Sequence, residues 1–292
     1  MRPSPACFTW LRRAVLAACG SAALVLLPVA TQAAEKPNPE ADRIAFQAYF
    51  KQHFPAVKND DWGNGPYAVN AGMRKQWEAI MAFPPYDFAL DAGKTEFARK
   101  FADGKTYADC FPNKGIGIRQ DYPYFDPKTG EIVTLDLAIN RCREANGEKP
   151  LPYQKGLIAA IAAYMASTSR GKPFDIKIPD DPRALAAYEA GKKFFYSRRG
   201  QLNFSCASCH VQAAGKRLRG DILAPAMGIL AAFPLYRSKW GNMGTIDRRF
   251  VSCNAQVRSV PFKPQSTIYR DLEYFLSYMS NGVPITGPGA RP

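Results

Sequence analysis

Histidine is scarce in this sequence, with only His53 and His210 among its 292 residues. Most zinc sites and histidine-based catalytic triads need more histidine or a different set of partners, so both classes are largely excluded. Acidic residues are also in deficit, since 25 Asp and Glu face 39 Lys and Arg. A chain this basic attracts anions or an acidic partner, and because no nucleic-acid-binding motif is present we expect no nucleic acid among its partners.

Residues 1–33 have the pattern of a secretory signal peptide. Three arginines stand before an apolar run over residues 14–30, and the small residues at 31–34 are similar to a signal-peptidase site. A membrane anchor and a lipoprotein cut before Cys19 are the alternatives, but a run of seventeen residues is at the short limit for a membrane span. We therefore expect a cleaved leader, a mature protein in the periplasm and no stable membrane insertion.

The cysteines beyond the leader include a motif with specific chemistry. Five remain there: Cys110, Cys142, Cys206, Cys209 and Cys253. Residues 206–210 read C-x-x-C-H, in which two thiols add to the vinyl groups of a haem and the histidine binds its iron. A thioredoxin-like redox pair is the alternative, but it requires a preceding strand in a βαβ unit. The motif predicts one covalently bound haem c, held by Cys206 and Cys209, with His210 as the iron ligand.

Helical patterns flank the haem motif on both sides. Asp180 or Asp181 can cap a helix before it, with Pro182 in the first turn, and Ser266 or Thr267 can open a second helix after it. The second helix carries one apolar stripe, and a glycine and a proline follow its end. No long run of alternating apolar and polar residues predicts β-strands in their place. We therefore predict an all-α protein in which residues 176–292 form a haem-binding cytochrome c domain.

Residues 34–175 repeat this layout without the haem motif. Segment 104–110 lies 96 residues before segment 200–206, and Cys142 precedes a closing helix as Cys253 does. The common order of these matches favours a duplication over two unrelated helices of similar composition. Asn113 and Lys114 stand where the motif would have its second cysteine and its histidine. The first cytochrome c-like domain is therefore expected to be haemless.

A disulfide between Cys110 and Cys142 can replace the lost haem in the first domain. Both residues would have faced the same missing group if the duplication is real. Closing a loop of about thirty residues stabilises a fold by about 3–4 kcal/mol in the chain-entropy model. The periplasm permits such a bond. This pairing leaves Cys253 as the odd cysteine.

Three residues compete for the second axial position of the iron: Met227, Met243 and Cys253. Methionine raises the reduction potential, whereas a thiolate lowers it, and composition alone does not choose. Arg249 lies one helical turn before Cys253, where a guanidinium can lower the pKa of a thiol and bind an oxyanion. A buried inert thiol is the alternative. We favour Cys253 and Arg249 as catalytic residues, with help to the substrate from Arg248 or the basic run 216–219.

Taken together, these residues resemble the SoxA family in its single-haem form. A haemless cytochrome c-like domain, a second one with the 206–210 motif, and an arginine four residues before a single late cysteine carry the resemblance. It implies an L-cysteine S-thiosulfotransferase that couples thiosulfate to a cysteine of a SoxYZ-like carrier, with a SoxX-like cytochrome c partner. It also implies that Cys253 is the distal iron ligand, often carried as a persulfide in that family, and that Arg249 is the matching arginine.

Other functions remain open from sequence. A plain electron-transfer cytochrome would use Met227 or Met243 on the iron and keep Cys253 structural. A thiosulfate dehydrogenase would join two thiosulfates to tetrathionate without a carrier. A binding-only subunit would dock another oxidase and would not depend on Arg249.

Overall fold

Helices dominate the fold. A computed structural model describes residues 37–291, and the predicted signal peptide, residues 1–33, lies outside the described residues. The α-helices of the described part are α1 (Pro39–His53), α2 (Pro66–Val69), α3 (Ala71–Met81), α4 (Asp87–Ala98), α5 (Leu135–Ala145), α6 (Leu157–Ser167), α7 (Pro182–Tyr196), α8 (Ile246–Gln256) and α9 (Thr267–Met279). No helix in residues 37–291 is long and apolar enough to cross a membrane.

The two predicted helix starts are confirmed. Helix α7 begins at Pro182, and the side chain of Asp181 accepts a hydrogen bond from the backbone N–H of Arg183. Helix α9 begins after Ser266, in the N-cap position. In α7 the fixed φ of Pro182 suits the first turn, and the Asp181 carboxylate satisfies an otherwise unpaired backbone N–H, whereas the side chain of Ser266 makes no capping hydrogen bond.

Short strands accompany the helices, so the strict all-α expectation is not confirmed. They are β1 (Tyr124–Asp126), β2 (Glu131–Val133), β3 (Arg217–Leu218), β4 (Asp221–Ile222), β5 (Leu235–Arg237), β6 (Asn242–Gly244) and β7 (Gly289–Arg291). Strands β1 and β2 pair antiparallel, as do β3 and β4, and the third sheet has the order β6-β5-β7. Each has two or three residues. An alternating pattern needs about four or more residues, so the sequence could not reveal them.

Two sets of elements follow the same order at a fixed spacing. Hairpin β1–β2 and helix α5 form the first set, and hairpin β5–β6 and helix α8 form the second. Every bound of the second set lies 111 residues after its counterpart, from 124 to 235 at the start and from 145 to 256 at the end. A cis X-Pro bond precedes each hairpin, at Pro123 and at Pro234. The structure therefore contains the duplication that the sequence suggests, and it puts Cys142 and Cys253 at equivalent positions.

A glycine lies at the crossing of each main helix pair. Gly93 of α4 packs against the carbonyl oxygen of Ala160 in α6, and Gly191 of α7 packs against that of Asp271 in α9. A Cβ at either glycine would overlap the facing carbonyl group. Glycine therefore permits the close approach of the two backbones in both halves of the molecule.

Two large apolar clusters form the core. One contains aromatic side chains of α7 and α9, and the other contains α4, α5 and α6. Helix α1 joins the cluster of α7 and α9 through Phe46 and Phe50, and the side chain of Gln47 donates to the carbonyl of Met279. The N-terminal segment thus packs on the second half of the molecule. The division at residue 175 stays a prediction, since residues 37–291 form one unit by contact.

Buried charged groups meet where the two halves pack together. Arg119 and Glu273 lie 4.0 Å apart and are almost fully buried, and Asp136 is close enough to interact with both. Burial raises the pKa of Glu273 to about 7, and repulsion from Asp247 adds to this effect while Arg119 opposes it. Burial likewise raises the pKa of Asp136 well above its ordinary value.

We expect the stability of the protein to fall between about pH 4.5 and pH 7. Glu273 binds a proton more tightly in the folded than in the unfolded chain, so the free energy of unfolding is higher at acid pH and declines as Glu273 ionises. Glu273→Gln should reduce the decline between pH 5 and pH 8 by about 2–3 kcal/mol. Urea unfolding followed by circular dichroism at both pH values measures this. An unchanged pH dependence in the variant would contradict it.

Candidate active site

The haem motif lies in the turn that follows α7. Ser205 and Ser208 hold this turn, since the hydroxyl of each accepts a hydrogen bond from the backbone N–H of the other at 3.0–3.1 Å. Residues Ser208–Gln212 then form one turn of π-helix. The thiols of Cys206 and Cys209 are both free rather than joined to each other. Two free thiols at this spacing fit attachment to a haem.

His210 is oriented by the backbone. Its Nδ1 donates a hydrogen bond to the carbonyl oxygen of Ala224 at 2.8 Å, and its own carbonyl accepts from the N–H of Ala226 at 2.8 Å. Because the carbonyl of Ala224 engages Nδ1, Nε2 is the ring nitrogen that remains to bind a metal ion. The arrangement is the one that an axial histidine of a haem requires.

Helix α8 brings Cys253 to the same place. Thr245 caps α8 by accepting a hydrogen bond from the N–H of Arg248. Burial by itself would raise the pKa of Cys253, but the charges of Arg249 and Arg237 and a hydrogen-bonding contact with His210 outweigh it and lower this pKa to about 7. The thiol therefore faces the imidazole of the haem motif and is surrounded by cations.

Arg249 has the character of an anion-binding residue. Its Nη1 atom is buried and, within residues 37–291, has no hydrogen-bond acceptor. A buried donor without an acceptor is costly unless a ligand satisfies it. The guanidinium also interacts with the thiols of Cys209 and Cys253. An oxyanion bound beside Cys253 would supply the missing acceptor.

The predicted helpers of Arg249 lie elsewhere, which corrects the sequence-based expectation. The guanidinium of Arg248 lies 4.3 Å from the ring centre of Trp240 and donates to the side chain of Asn242. Residues 216–219 are exposed on and around the β3–β4 hairpin. Successive residues of a helix point about 100° apart, so Arg248 and Arg249 cannot both face Cys253.

Arg237, which the sequence did not indicate, interacts with Cys253 instead. It lies on β5, sixteen residues before Cys253, and the β5–β6 hairpin turns it back toward α8. Its pairing with α8 is a consequence of the hairpin fold, so no local sequence signal could have identified it.

The two candidate methionine ligands are both buried in apolar surroundings. Met227 is fully buried in the core that contains α7 and α9. Met243 lies in a separate cluster with Ala159 and Ala163 of α6. The contact with His210 is made by Cys253.

The corresponding place in the first half has an asparagine and a lysine where the motif has its second cysteine and its histidine. Asn113 and Lys114 occupy a turn with positive φ angles of 47° and 53°. Cys110 and Cys142 form a disulfide, with their Cα atoms 5.7 Å apart. The side-chain amide of Asn146 donates to the carbonyl of Cys142 at 2.7 Å beside this bond.

The donor set of the second half fits a haem c. It offers two free thiols, an imidazole with its Nδ1 already bound, and a third thiol that contacts this imidazole. No group of three or more His, Cys, Asp and Glu side chains in the described residues could hold a bare metal ion. Thiols for covalent attachment, and an imidazole and a thiol for the iron, are the donor types that would hold a haem c.

Comparison with known proteins gives the same class. Residues 92–174 and 190–285 match the family model described as SoxA/TsdA, cytochrome c domain. The fold and the site thus define a cytochrome c-like protein, with one matching segment in each half.

Relatives identify the family. The chain is 54% identical over 255 residues to the L-cysteine S-thiosulfotransferase subunit SoxA of Allochromatium vinosum, covering 87% of this chain and 90% of that one. It is 51% identical over 252 residues to the protein of the same name from Chlorobaculum tepidum, covering 86% and 87%. The chain belongs to the SoxA family. A solved structure, SoxXA from P. pantotrophus, is similar with a TM-score of 0.65 and 30% identity, over 72% of this chain and 79% of that one.

Proposed function

We propose that this chain is the catalytic haem subunit of an L-cysteine S-thiosulfotransferase, which couples thiosulfate oxidatively to a cysteine of a SoxYZ-like carrier protein. One observation carries the proposal: Cys253 faces His210 of the haem motif and has the guanidinium of Arg249 beside it. The names of the relatives from Allochromatium vinosum and Chlorobaculum tepidum support the activity. The solved SoxXA complex supports a SoxX-like cytochrome c partner.

A single haem c fits this function. Cys206 and Cys209 would attach it, and His210 and Cys253 would bind its iron. The bound haem supplies a one-electron acceptor, and a second haem in the SoxX-like partner supplies the other. The first half holds none, because Asn113 and Lys114 replace the thiol and the imidazole that a second haem would need.

Arg249 and Cys253 act on thiosulfate directly. The buried N–H groups of Arg249 bind the sulfonate oxygens, where a charge-assisted hydrogen bond is strong. This holds the sulfane sulfur against Sγ of Cys253, and the surrounding side chains exclude water. Positioning the two sulfur atoms in this way lowers the entropic part of the barrier.

The transfer takes place in two steps, in each of which atoms and electrons balance. A sulfur–sulfur bond forms between the Cys253 thiolate and the sulfane sulfur of thiosulfate, and two electrons leave. The thiolate of the carrier cysteine then attacks the sulfane sulfur, and the bond to Cys253 breaks. The carrier leaves with the S-thiosulfonate group, the thiolate of Cys253 is regenerated, and the proton of the carrier thiol passes to solvent.

The proposal places the protein in the periplasm. Residues 1–33 would direct export as a cleaved signal peptide, and the mature protein would consist of a haemless domain (34–175) and a haem-binding domain (176–292). The site needs a soluble anion, a carrier protein and a cytochrome partner, all of which are available to an exported protein that is not inserted in a membrane.

The test is a reconstituted transfer assay. The protein is purified with its haem, combined with a SoxX-like subunit, thiosulfate and a SoxYZ-like carrier, and the mass of the carrier is followed together with reduction of an external cytochrome c. We expect one S-thiosulfonate adduct on the carrier for each two electrons transferred. Arg249→Gln should lower kcat/KM for thiosulfate about tenfold or more, because it removes a charge-assisted contact.

The same assay separates the alternatives. Tetrathionate released at an equal rate without the carrier would identify a thiosulfate dehydrogenase. Reduction of the haem by other donors with no change in carrier or thiosulfate would identify an electron-transfer cytochrome. An adduct that forms only after another oxidase is added, at a rate that Arg249→Gln does not change, would identify a subunit that only binds that oxidase. Each of these outcomes would overturn the proposed function.

A further inference from the structure

Arg199 lies in a short loop between helix α7 and the haem motif, seven residues before Cys206. At the base of the loop, the backbone N–H of Arg199 donates to the carbonyl of Phe204 at 3.1 Å, and the N–H of Phe204 donates back at 3.2 Å. At the tip, the N–H of Leu202 donates at 3.3 Å to the carbonyl of Val257, directly after α8. Hydrogen bonds at both ends therefore fix the backbone from which the side chain of Arg199 extends.

The guanidinium of Arg199 is held against the first cysteine of the motif. Its Cζ lies 3.5 Å from the ring centre of Phe194, and its Nη2 donates to the carbonyl oxygen of the same residue. Its Nη1 lies 3.8 Å from Sγ of Cys206, within hydrogen-bonding range of a sulfur atom. The Phe194 ring in turn packs edge-on against Phe262 and Tyr269, with ring centres 5.7 and 6.2 Å away. A planar guanidinium that is stacked and hydrogen-bonded in this way keeps one orientation.

The positive charge of Arg199 is not neutralised by the groups that hold it. Those groups are an aromatic ring, a carbonyl oxygen and a sulfur atom. Burial raises the pKa of the Cys206 thiol to about 11, so this sulfur is uncharged at neutral pH, and a sulfur in a thioether is uncharged as well. The sequence from residue 196 to residue 206 contains Arg198 and Arg199 but no acidic residue. A full positive charge therefore lies beside Cys206.

Attachment through the C-x-x-C-H motif would make Sγ of Cys206 the link between the chain and one edge of the porphyrin. A charge beside this atom is then a charge beside that edge. We propose that Arg199 places a permanent positive charge at the attachment edge of the haem and thereby raises the reduction potential of its iron. Reduction adds one electron, so the net charge falls by one, and a nearby cation stabilises the reduced state more than the oxidised state. The inference rests on the proposed function for its haem c and for the cysteine ligand.

A cation at this edge serves the proposed electron transfer. The thiolate of Cys253, as an iron ligand, lowers the potential, and an iron of very low potential is a poor acceptor for the electrons that leave thiosulfate. Arg199 offsets part of this effect from the Cys206 edge. A guanidinium stays protonated at every pH at which proteins are folded, so its contribution should be the same at about pH 6 and at about pH 9.

The experiment is a redox titration of the haem-loaded chain, followed by the absorption of the haem, with dithionite as reductant, ferricyanide as oxidant and mediator dyes. The variants are Arg199→Gln and Arg199→Lys, and the matched control is Arg198→Gln, which removes the same charge from the neighbouring exposed residue. We expect Arg199→Gln to lower the equilibrium constant for reduction about threefold to tenfold, which is about 30–60 mV for one electron, equally at both pH values. Arg199→Lys and Arg198→Gln should stay within about twofold of the wild type, the first because it keeps the charge and the second because solvent screens an exposed charge.

The variants separate a charge effect from a structural one. An unchanged potential in Arg199→Gln, an equal change in Arg199→Gln and Arg199→Lys, or an equal change in Arg199→Gln and Arg198→Gln would each overturn the inference. If Arg199→Gln does not retain haem, Phe194→Leu decides the matter, because it keeps the arginine and removes the ring on which the guanidinium is stacked. This variant should lower the constant about twofold, and an unchanged or raised potential would contradict the role of Arg199.

The titration is independent of the transfer assay, since it contains neither thiosulfate nor carrier. A wild type that transfers no thiosulfate, yet has a potential that depends on the charge of Arg199, would overturn the proposed function and leave this inference standing. Normal transfer by the wild type, with the same potential in Arg199→Gln, would do the opposite.

Discussion

Replacing Cys253 by serine should lower the rate of thiosulfate transfer at least about a thousandfold, while the protein remains folded and keeps its covalent haem. The reason is chemical, because the serine oxygen cannot form the sulfur–sulfur bond that the proposed function requires. The thiol also interacts with Arg249, Arg237 and His210, so no other cysteine can take its place. The other two free thiols within residues 37–291, Cys206 and Cys209, are expected to be used by the haem. Transfer to the carrier, measured by mass, gives the rate.

Cys253→Met separates the two roles of this sulfur. A thioether can still bind iron, so this variant should be red and folded with an altered absorption spectrum, yet it cannot form a sulfur–sulfur bond. Ser252→Ala is the matched control, since its hydroxyl accepts only from the side chain of Gln256 on the exposed face of α8. Full turnover of the methionine variant would refute the nucleophile role and leave Cys253 as an iron ligand alone.

Sequence was informative about the site where its residues are close together in the chain. The C-x-x-C-H motif and the Arg249–Cys253 pair each fit within one or two turns of helix, so their chemistry can be read locally. Arg237 could not be found this way, because its approach to Cys253 depends on the β5–β6 hairpin. Arg248 was selected as a helper for its proximity in sequence, although the turn of the helix directs it to Trp240.

The fold shows the same division between local and long-range information. Capping residues and an apolar stripe predicted α7 and α9, because these signals lie within the helices themselves. The packing of α1 on the second half was not predictable, since it depends on which surface remains uncovered after the other helices have packed. The repeat was visible at a spacing of 96 near the haem motif and of 111 near Cys253. The spacing increases because the second half has extra residues between these two places, in the stretch that contains the β3–β4 hairpin and Asp221.

Removing the disulfide of the first half should destabilise the protein without affecting its haem. The bond joins Cys110 and Cys142 over a separation of 32 residues. Closing a loop of that length reduces the entropy of the unfolded chain and stabilises the fold by about 3–4 kcal/mol. The double variant Cys110→Ala, Cys142→Ala should lose about this amount in urea unfolding, and reductant should have a similar effect on the wild type.

The second half of the chain can be compared with the first to test this prediction. Helix α5 contains Cys142 and helix α8 contains Cys253 at the equivalent position, so one fold position holds a disulfide in the first half and a free thiol in the second. If the first half has replaced its haem by this bond, the double variant should keep one haem by mass and an unchanged absorption spectrum. A second haem on the wild type, or a loss of haem in the double variant, would show that the two halves have not divided these roles.

Near wild-type stability of the double variant would instead mean that the aromatic core around Tyr107 and Phe111 fills the place of the haem without help from the bond.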